Sequence, residues 1–138
     1  MEPKDLIALL EEHDVRPTAN RIIVAGVLAR ASMPLSLSEL EVEIGSIDKS
    51  NIFRSLVTFK EHHIVHVLED GSDGVRYELC KSHDHDHDED LHVHFHCEIC
   101  GKTYCLEDIP VPEVSVPEDF QPRSANYIIK GICPSCRR

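Results

Sequence analysis

Apolar residues in the first part of the chain recur with a helical period. Leu6, Leu9, Leu10 and His13 mark one face of a short first helix, with Pro3 near its start. A second helix is predicted from Thr18 to Ala31, capped by Thr18, with Ile22, Ala25 and Leu28/Ala29 turned inward. Pro34 ends the connection that follows. Ser36 or Ser38 caps a third helix bearing Leu37, Leu40 and Ile44, and Gly45 closes it. Asp48 or Ser50 caps a fourth, running to about Glu61, with Ile52, Leu56 and Phe59 as its apolar face. The period then drops to two: Ile64–Glu69 alternates as a strand, 70–74 turns, and Val75–Leu79 returns.

Helices ending in a β-hairpin follow the order of a winged helix-turn-helix, in which one helix enters the major groove of DNA. The remainder reads as strands. Leu91–Cys97 alternates, Lys102–Leu106 is short, and Tyr127–Cys133 is apolar. Pro110 to Pro122 holds four prolines and predicts an extended connection with at most one short helix. The expected class is therefore α+β, with a winged-helix domain over 1–80, an acidic His/Asp-rich loop over 81–90 and a second domain over 91–138.

Composition sharpens this division. Residues 1–79 contain no cysteine and four of the ten histidines, whereas 80–138 contain all six cysteines and the other six histidines. His83–Asp88 reads HDHDHD, followed by Glu89 and Asp90, a low-complexity polar insertion that could bind metal only without fixed geometry. The 138-residue chain has 41% hydrophobic residues but no Trp, so its core is mostly aliphatic. No stretch is long and apolar enough to span a bilayer, and the first residues carry acids where a signal peptide carries bases, so a cytoplasmic protein is expected. The net charge of −11 opposes nucleic-acid binding unless the cations gather on one face, and Arg16, Arg21, Lys49, Arg54 and Lys60 are the expected cluster.

Cys97, Cys100, Cys133 and Cys136 form two C-x2-C pairs. Each such turn brings two thiolates to one ion, and two turns complete a tetrahedron around zinc, a closed structural site with no position open for catalysis. Gly101 follows the first pair, and Pro134 lies within the second. Cys80 and Cys105 remain. His92 and His94 alternate with Val93, so both imidazoles leave one side of a strand, with His96 of the same parity. Glu78 lies two residues before Cys80. Such His, Cys and Glu ligands suit zinc, and a soft thiolate makes iron(II) or manganese less natural. On the fourth helix Asn51, Arg54, Ser55 and Thr58 line one polar stripe, either a solvated face or a surface for base edges and phosphates.

Three motifs carry a family resemblance that extends over almost the whole chain. Arg16-Pro-Thr-Ala-Asn-Arg21 resembles R-x-T-x-x-R, Ser50-Asn-Ile-Phe-Arg-Ser-Leu56 resembles a recognition-helix motif, and His92-Val-His-Phe-His-Cys97-Glu-Ile-Cys100-Gly101 resembles H-x-H-x-x-C-x-x-C-G. By these the chain resembles the ferric uptake regulator (Fur) family of metal-sensing bacterial repressors. The resemblance implies a winged-helix domain joined to a small α/β dimerisation domain. It also implies a homodimer that binds palindromic double-stranded operator DNA when a divalent sensor metal is bound. It places Arg16, Arg21, Ser50, Asn51, Phe53 and Arg54 among the residues near DNA, with Phe53 where relatives carry a groove-contacting tyrosine.

Departures from the family bear on the metal. At the sensor site Met33 stands near the position of a family histidine, and Cys105 replaces an acid. Glu78, His92 and His94 match, and Cys80 sits where zinc-sensing members often carry a cysteine. A sensor set of Cys80, His92, His94 and Cys105 with Glu78 therefore points to zinc. The family's additional dimer-domain site looks absent, its positions falling on Leu91, Val93, Pro112 and Ala125. Two alternatives stay open: an iron- or manganese-responsive regulator, and a zinc-stabilised protein-interaction module that does not bind DNA. A hydrolase using His92 and His94 is disfavoured, because no acid/base pair accompanies an open zinc position.

Overall fold

Helix α1 (Pro3–Glu12) starts where the Glu2 backbone N–H donates to the Asp5 carboxylate at 3.0 Å, and it buries Leu6 and Leu10. The computed structural model describes residues 1–69, 74–80, 92–122 and 125–137, with His92 and Glu107 described by backbone alone. The turn expected over 70–74, apart from Gly74, and the loop expected over 81–90 fall outside the described residues. The chain divides into two compact units, Met1–Lys81 and Ser82–Arg138.

In the first unit α1 is followed by α2 (Ala19–Arg30), β1 (Leu35–Ser36), α3 (Leu37–Ile44), α4 (Lys49–Glu61), β2 (Val65–Glu69) and β3 (Val75–Leu79). Thr18 caps α2 by accepting from the Arg21 N–H at 3.3 Å. Val24, Ala25, Val27 and Leu28 are all buried, a wider face than the single stripe the periodicity predicts, because α2 packs against α1, α3 and α4 together. Ser36 and Glu39 close a capping box on α3, and Gly45 ends it at φ 72°, a left-handed conformation suited to glycine.

Helices α1 and α4 end alike. Asp14 (φ 61°) and His63 (φ 60°) turn left-handed, after which the Val15 and Ile64 N–H groups reach back to the Leu10 and Phe59 carbonyls at 2.8 Å. His62 Nδ1 meets the His13 carbonyl oxygen at 2.9 Å, joining the two ends. Leu10, Val24, Leu40, Ile52, Leu56 and Phe59 are fully buried and make the centre of this core. The hairpin gains a third strand, since two-residue β1 pairs with β3 to give the order β1-β3-β2. So short a strand carries no alternation that a sequence could reveal.

The second unit is a sheet of order β5-β4-β6, built from β4 (His92–Cys97), β5 (Thr103–Pro110) and β6 (Ile128–Gly131). β4 lies antiparallel to β5 and parallel to β6. β5 runs four residues past the predicted Leu106, whereas β6 is shorter than Tyr127–Cys133. Helix and sheet are mixed in the chain as a whole. Within this unit the described residues hold strands and no helix, the connection after β5 being interrupted by Pro112, Pro117 and Pro122. Among the described residues no helix is long and apolar enough to cross a membrane.

Candidate metal centres and nucleic-acid face

The parallel pairing of β4 with β6 puts Cys97 beside Gly131, two residues before Cys133. The knuckle Cys97–Cys100 is closed by the Gly101 N–H, which donates to the Cys97 carbonyl at 2.9 Å with Gly101 at φ 76°. The second turn closes through the Cys136 N–H to the Cys133 carbonyl at 3.1 Å. The four Sγ atoms of Cys97, Cys100, Cys133 and Cys136 all lie within 4.8 Å of one another. Cys100 Sγ and Cys133 Sγ are 3.8 Å apart. That exceeds a disulfide bond of about 2.05 Å and equals the edge of a tetrahedron with Zn–S bonds of about 2.3 Å.

Hydrogen bonds favour the thiolate at two of these sulfurs, Cys97 and Cys133. The Cys100 and Cys133 N–H groups point at Cys97 Sγ, at 3.5 and 3.4 Å. With the Cys100 N–H as the largest contribution, they lower the Cys97 thiol to about 6. The Tyr104 hydroxyl, donating to Cys133, lowers that thiol and is itself raised to about 12. Cys136, hydrogen-bonded to Cys133, is pushed up to about 12. Four adjacent thiols cannot all ionise by themselves. A divalent cation at their centre removes that conflict, and the donor set and spacing fit a structural zinc ion.

The other candidate ligands fall in both units. In the first, β2 and β3 pair so that His66 stands opposite Glu78, and Cys80 Sγ lies 3.6 Å from His66 Nδ1. His66 was not singled out from the sequence; its only signal there is strand parity, which shows once the hairpin register is known. In the second unit His94 is buried and directly opposite Cys105 in the β4–β5 ladder. His96 stands opposite Thr103, and its Nδ1 meets the Thr103 hydroxyl at 3.0 Å, so this imidazole is engaged within the sheet. The side chain of His92 and the His83–Asp88 segment lie outside what the structure describes. Met33 lies at the end of the α2–β1 connection, beside a cavity of about 280 Å³ also lined by Arg30 and Glu43.

The outward face of α4 differs from the predicted polar stripe. Ser55 is buried, with Ile52, Leu56 and Phe59, while Phe53, Arg54, Val57 and Lys60 face solvent. At the start of the helix the Asp48 carboxylate accepts from the Ser50 hydroxyl and the Asn51 amide, each at 2.5 Å. Those contacts, that of Ser50 foremost, hold its pKa below the ordinary 3.8. Lys49 Nζ donates to Ser38 Oγ at 3.2 Å. Arg16 is exposed, and its carbonyl accepts from Arg21 Nη1 at 2.9 Å. α4 carries Lys49, Arg54 and Lys60 against Glu61, a local balance of +2. Residues 1–80 as a whole hold 8 basic and 14 acidic side chains.

Residues 12–127 match the model of the ferric uptake regulator family. No curated protein sequence shows significant similarity to the chain. Among solved structures, the fold is similar to that of the Helicobacter pylori ferric uptake regulator, with a TM-score of 0.64 and 20% identity over 100% of this chain and 95% of that one. The Vibrio cholerae ferric uptake regulator aligns with a TM-score of 0.64 and 18% identity, over 92% of this chain and 98% of that chain. A zinc uptake regulator solved with zinc and DNA aligns with a TM-score of 0.62 and 21% identity, over 99% and 96% of the two chains.

Proposed function

This chain belongs to the ferric uptake regulator family of metal-responsive regulators, and from that premise we propose that it is a transcriptional repressor in the cytoplasm, a homodimer that binds palindromic operator DNA when zinc occupies its sensor site. The observation that carries the zinc reading is that thiols accompany imidazoles at the candidate ligands of both units. Cys80 lies against His66 in one, and Cys105 stands opposite His94 in the other. Sulfur and imidazole together favour zinc over iron(II) or manganese.

In this reading Cys97, Cys100, Cys133 and Cys136 hold a permanent zinc ion. The ligands of the sensed one are drawn from Cys80, Glu78 and His66 in the first unit and His92, His94 and Cys105 in the second, four of them sufficing for zinc. An ion held by residues of both units restrains the swing of one against the other. The two recognition helices of a dimer then match the half-site spacing of an operator. The metal acts by binding one arrangement more tightly than the others.

The second unit supports self-association. Val114, Phe120, Ile129 and Ile132 are exposed, and both β5 and β6 are edge strands. No catalytic role is assigned, since a closed four-thiolate site offers no open coordination position. Operator binding is measured with a duplex covering the upstream region of the protein's own gene, with and without zinc. Zinc-dependent retardation is expected, and equal affinity in both conditions sinks the sensing mechanism. Absence of binding in either favours a zinc-stabilised protein-interaction module.

A further inference from the structure

Two strands of the second sheet carry the four-cysteine centre. Cys97 ends β4, and Cys133 lies two residues beyond the end of β6, whereas β5 holds none of the four ligands. Alternation nevertheless turns one side chain of β5 toward that centre. Phe95 stands opposite Tyr104 in the β4–β5 ladder, and Cys97 stands beside Gly131 in the β4–β6 ladder. Cross-strand partners share a face, as do residues two apart on one strand, so Phe95, Cys97, Tyr104 and Gly131 lie on one side of the sheet. The Phe95 ring rests against Gly131, where an added Cβ would stand 3.0 Å from Phe95 Cζ. Cys105 and His94 belong to the opposite side.

The two buried sulfurs of the centre are not supplied alike. Cys97 Sγ receives two backbone N–H groups. Cys133 is fully buried, and its sulfur receives the Cys136 N–H together with a side-chain donor, the Tyr104 hydroxyl. A hydrogen bond to an ionised acceptor is about twice as strong as one between neutral groups. It also draws electron density from the sulfur and fixes the direction in which the sulfur points. The hydroxyl thus meets a ligand atom of the centre, from a strand that provides no ligand.

We propose that Tyr104 is a positioning residue of the structural zinc centre, its hydroxyl holding the Cys133 thiolate in place and fastening β5 to the site. The inference rests on the zinc reading of the four cysteines. Partners in the outer shell of a metal site typically carry about 10–100-fold in affinity. Cys105 follows Tyr104 on β5, so the bond that fastens the tyrosine also steadies the strand bearing a candidate ligand of the sensed metal.

The test uses the full-length protein carrying Cys80→Ser and Cys105→Ser, in which only the four-cysteine centre retains thiols. Tyr104→Phe, added to this parent, keeps the ring and removes the hydroxyl alone. Competition with a chromophoric chelator should show zinc held about tenfold more weakly. With cobalt(II) as the probe, the sulfur-to-metal charge-transfer band should move to lower energy, because a thiolate that loses a hydrogen bond gives up electron density more readily. Replacing the three tyrosines of the parent biosynthetically by fluorotyrosine, a stronger donor on the same ring, should move the band to higher energy. This arm decides alone if Tyr104→Phe does not fold. A band unmoved by fluorotyrosine overturns the proposal, as does a Tyr104→Phe protein with the parent's zinc affinity. Weaker zinc binding by Tyr104→Phe with an unmoved band also overturns it, and leaves the tyrosine a packing residue. A parent whose cysteines take neither zinc nor cobalt overturns the zinc reading itself, a result distinct from metal binding that ignores the hydroxyl.

Discussion

His94 and Cys105 are direct cross-strand partners in the β4–β5 ladder, so an imidazole and a thiol share one position on the sheet. Neither belongs to the four-cysteine cluster. Cys105→Ser should therefore leave the unfolding midpoint and the tightly held zinc unchanged, while weakening the second zinc affinity by about tenfold or more. Competition with a chromophoric chelator reads the affinity, and a thermal scan reads the fold. Equal damage to both would erase the division between a holding site and a sensing site.

Cys97 should behave in the opposite way. Its sulfur receives two backbone N–H groups, one from each knuckle. Cys97→Ser removes a thiolate ligand and lengthens both of these contacts, and a closed zinc site contributes directly to folding. The expected outcome is loss of about one zinc per chain and a second unit open to proteolysis, with the first unit retained. Metal analysis and limited digestion check this. A Cys97→Ser protein with full zinc content would refute it.

Asp48 provides a pH-dependent reading of the start of α4. Its carboxyl is held below 3.8, chiefly by the Ser50 hydroxyl and with help from Asn51. A depressed carboxyl contributes stability that is complete above the unfolded value of 3.8 and is lost as pH falls through the lower folded value. Ser50→Ala should move the Asp48 titration upward toward 3.8, as followed by carboxyl carbon chemical shift. An unmoved titration would mean that the hydroxyl contact does not hold in solution.

Phe59 lies at the centre of the first unit with none of its surface exposed. Phe59→Ala should cost about 3–5 kcal/mol through lost transfer energy and the cavity left behind. Denaturant unfolding measures it. A cost below about 1 kcal/mol would require the neighbouring helices to collapse into the space.

Much of this was legible in the sequence because the signals were local. Thr18, Ser36 and Gly45 mark helix ends by chemistry that acts within a few residues, and Val75–Leu79 was bounded correctly as the strand returning from a Gly/Asp-rich turn. The cysteine spacing predicted a cluster that the fold assembles. Signals fixed by tertiary packing were not legible. Ser55 sits on the buried side of α4, where a small hydroxyl residue fits, and helical spacing alone placed it outside. β1 is two residues long and exists only because β3 lies beside it. His66 became a candidate ligand only when the hairpin register set it opposite Glu78 and near Cys80.

The parallel run of β4 against β6 has a consequence for the order of assembly. Cys97 and Cys133, 36 residues apart, must meet before the second sheet is complete. The entropy lost in closing so long a loop precedes any reward from the contacts it creates. An ion held first by Cys97 and Cys100 would give the returning strand a target, beside the contact in which the Glu98 N–H donates to the Gly131 carbonyl at 2.8 Å. Zinc is therefore expected to speed the closure of this sheet as well as to hold it closed, and stopped-flow refolding at graded zinc concentrations checks this, a rate independent of zinc refuting it.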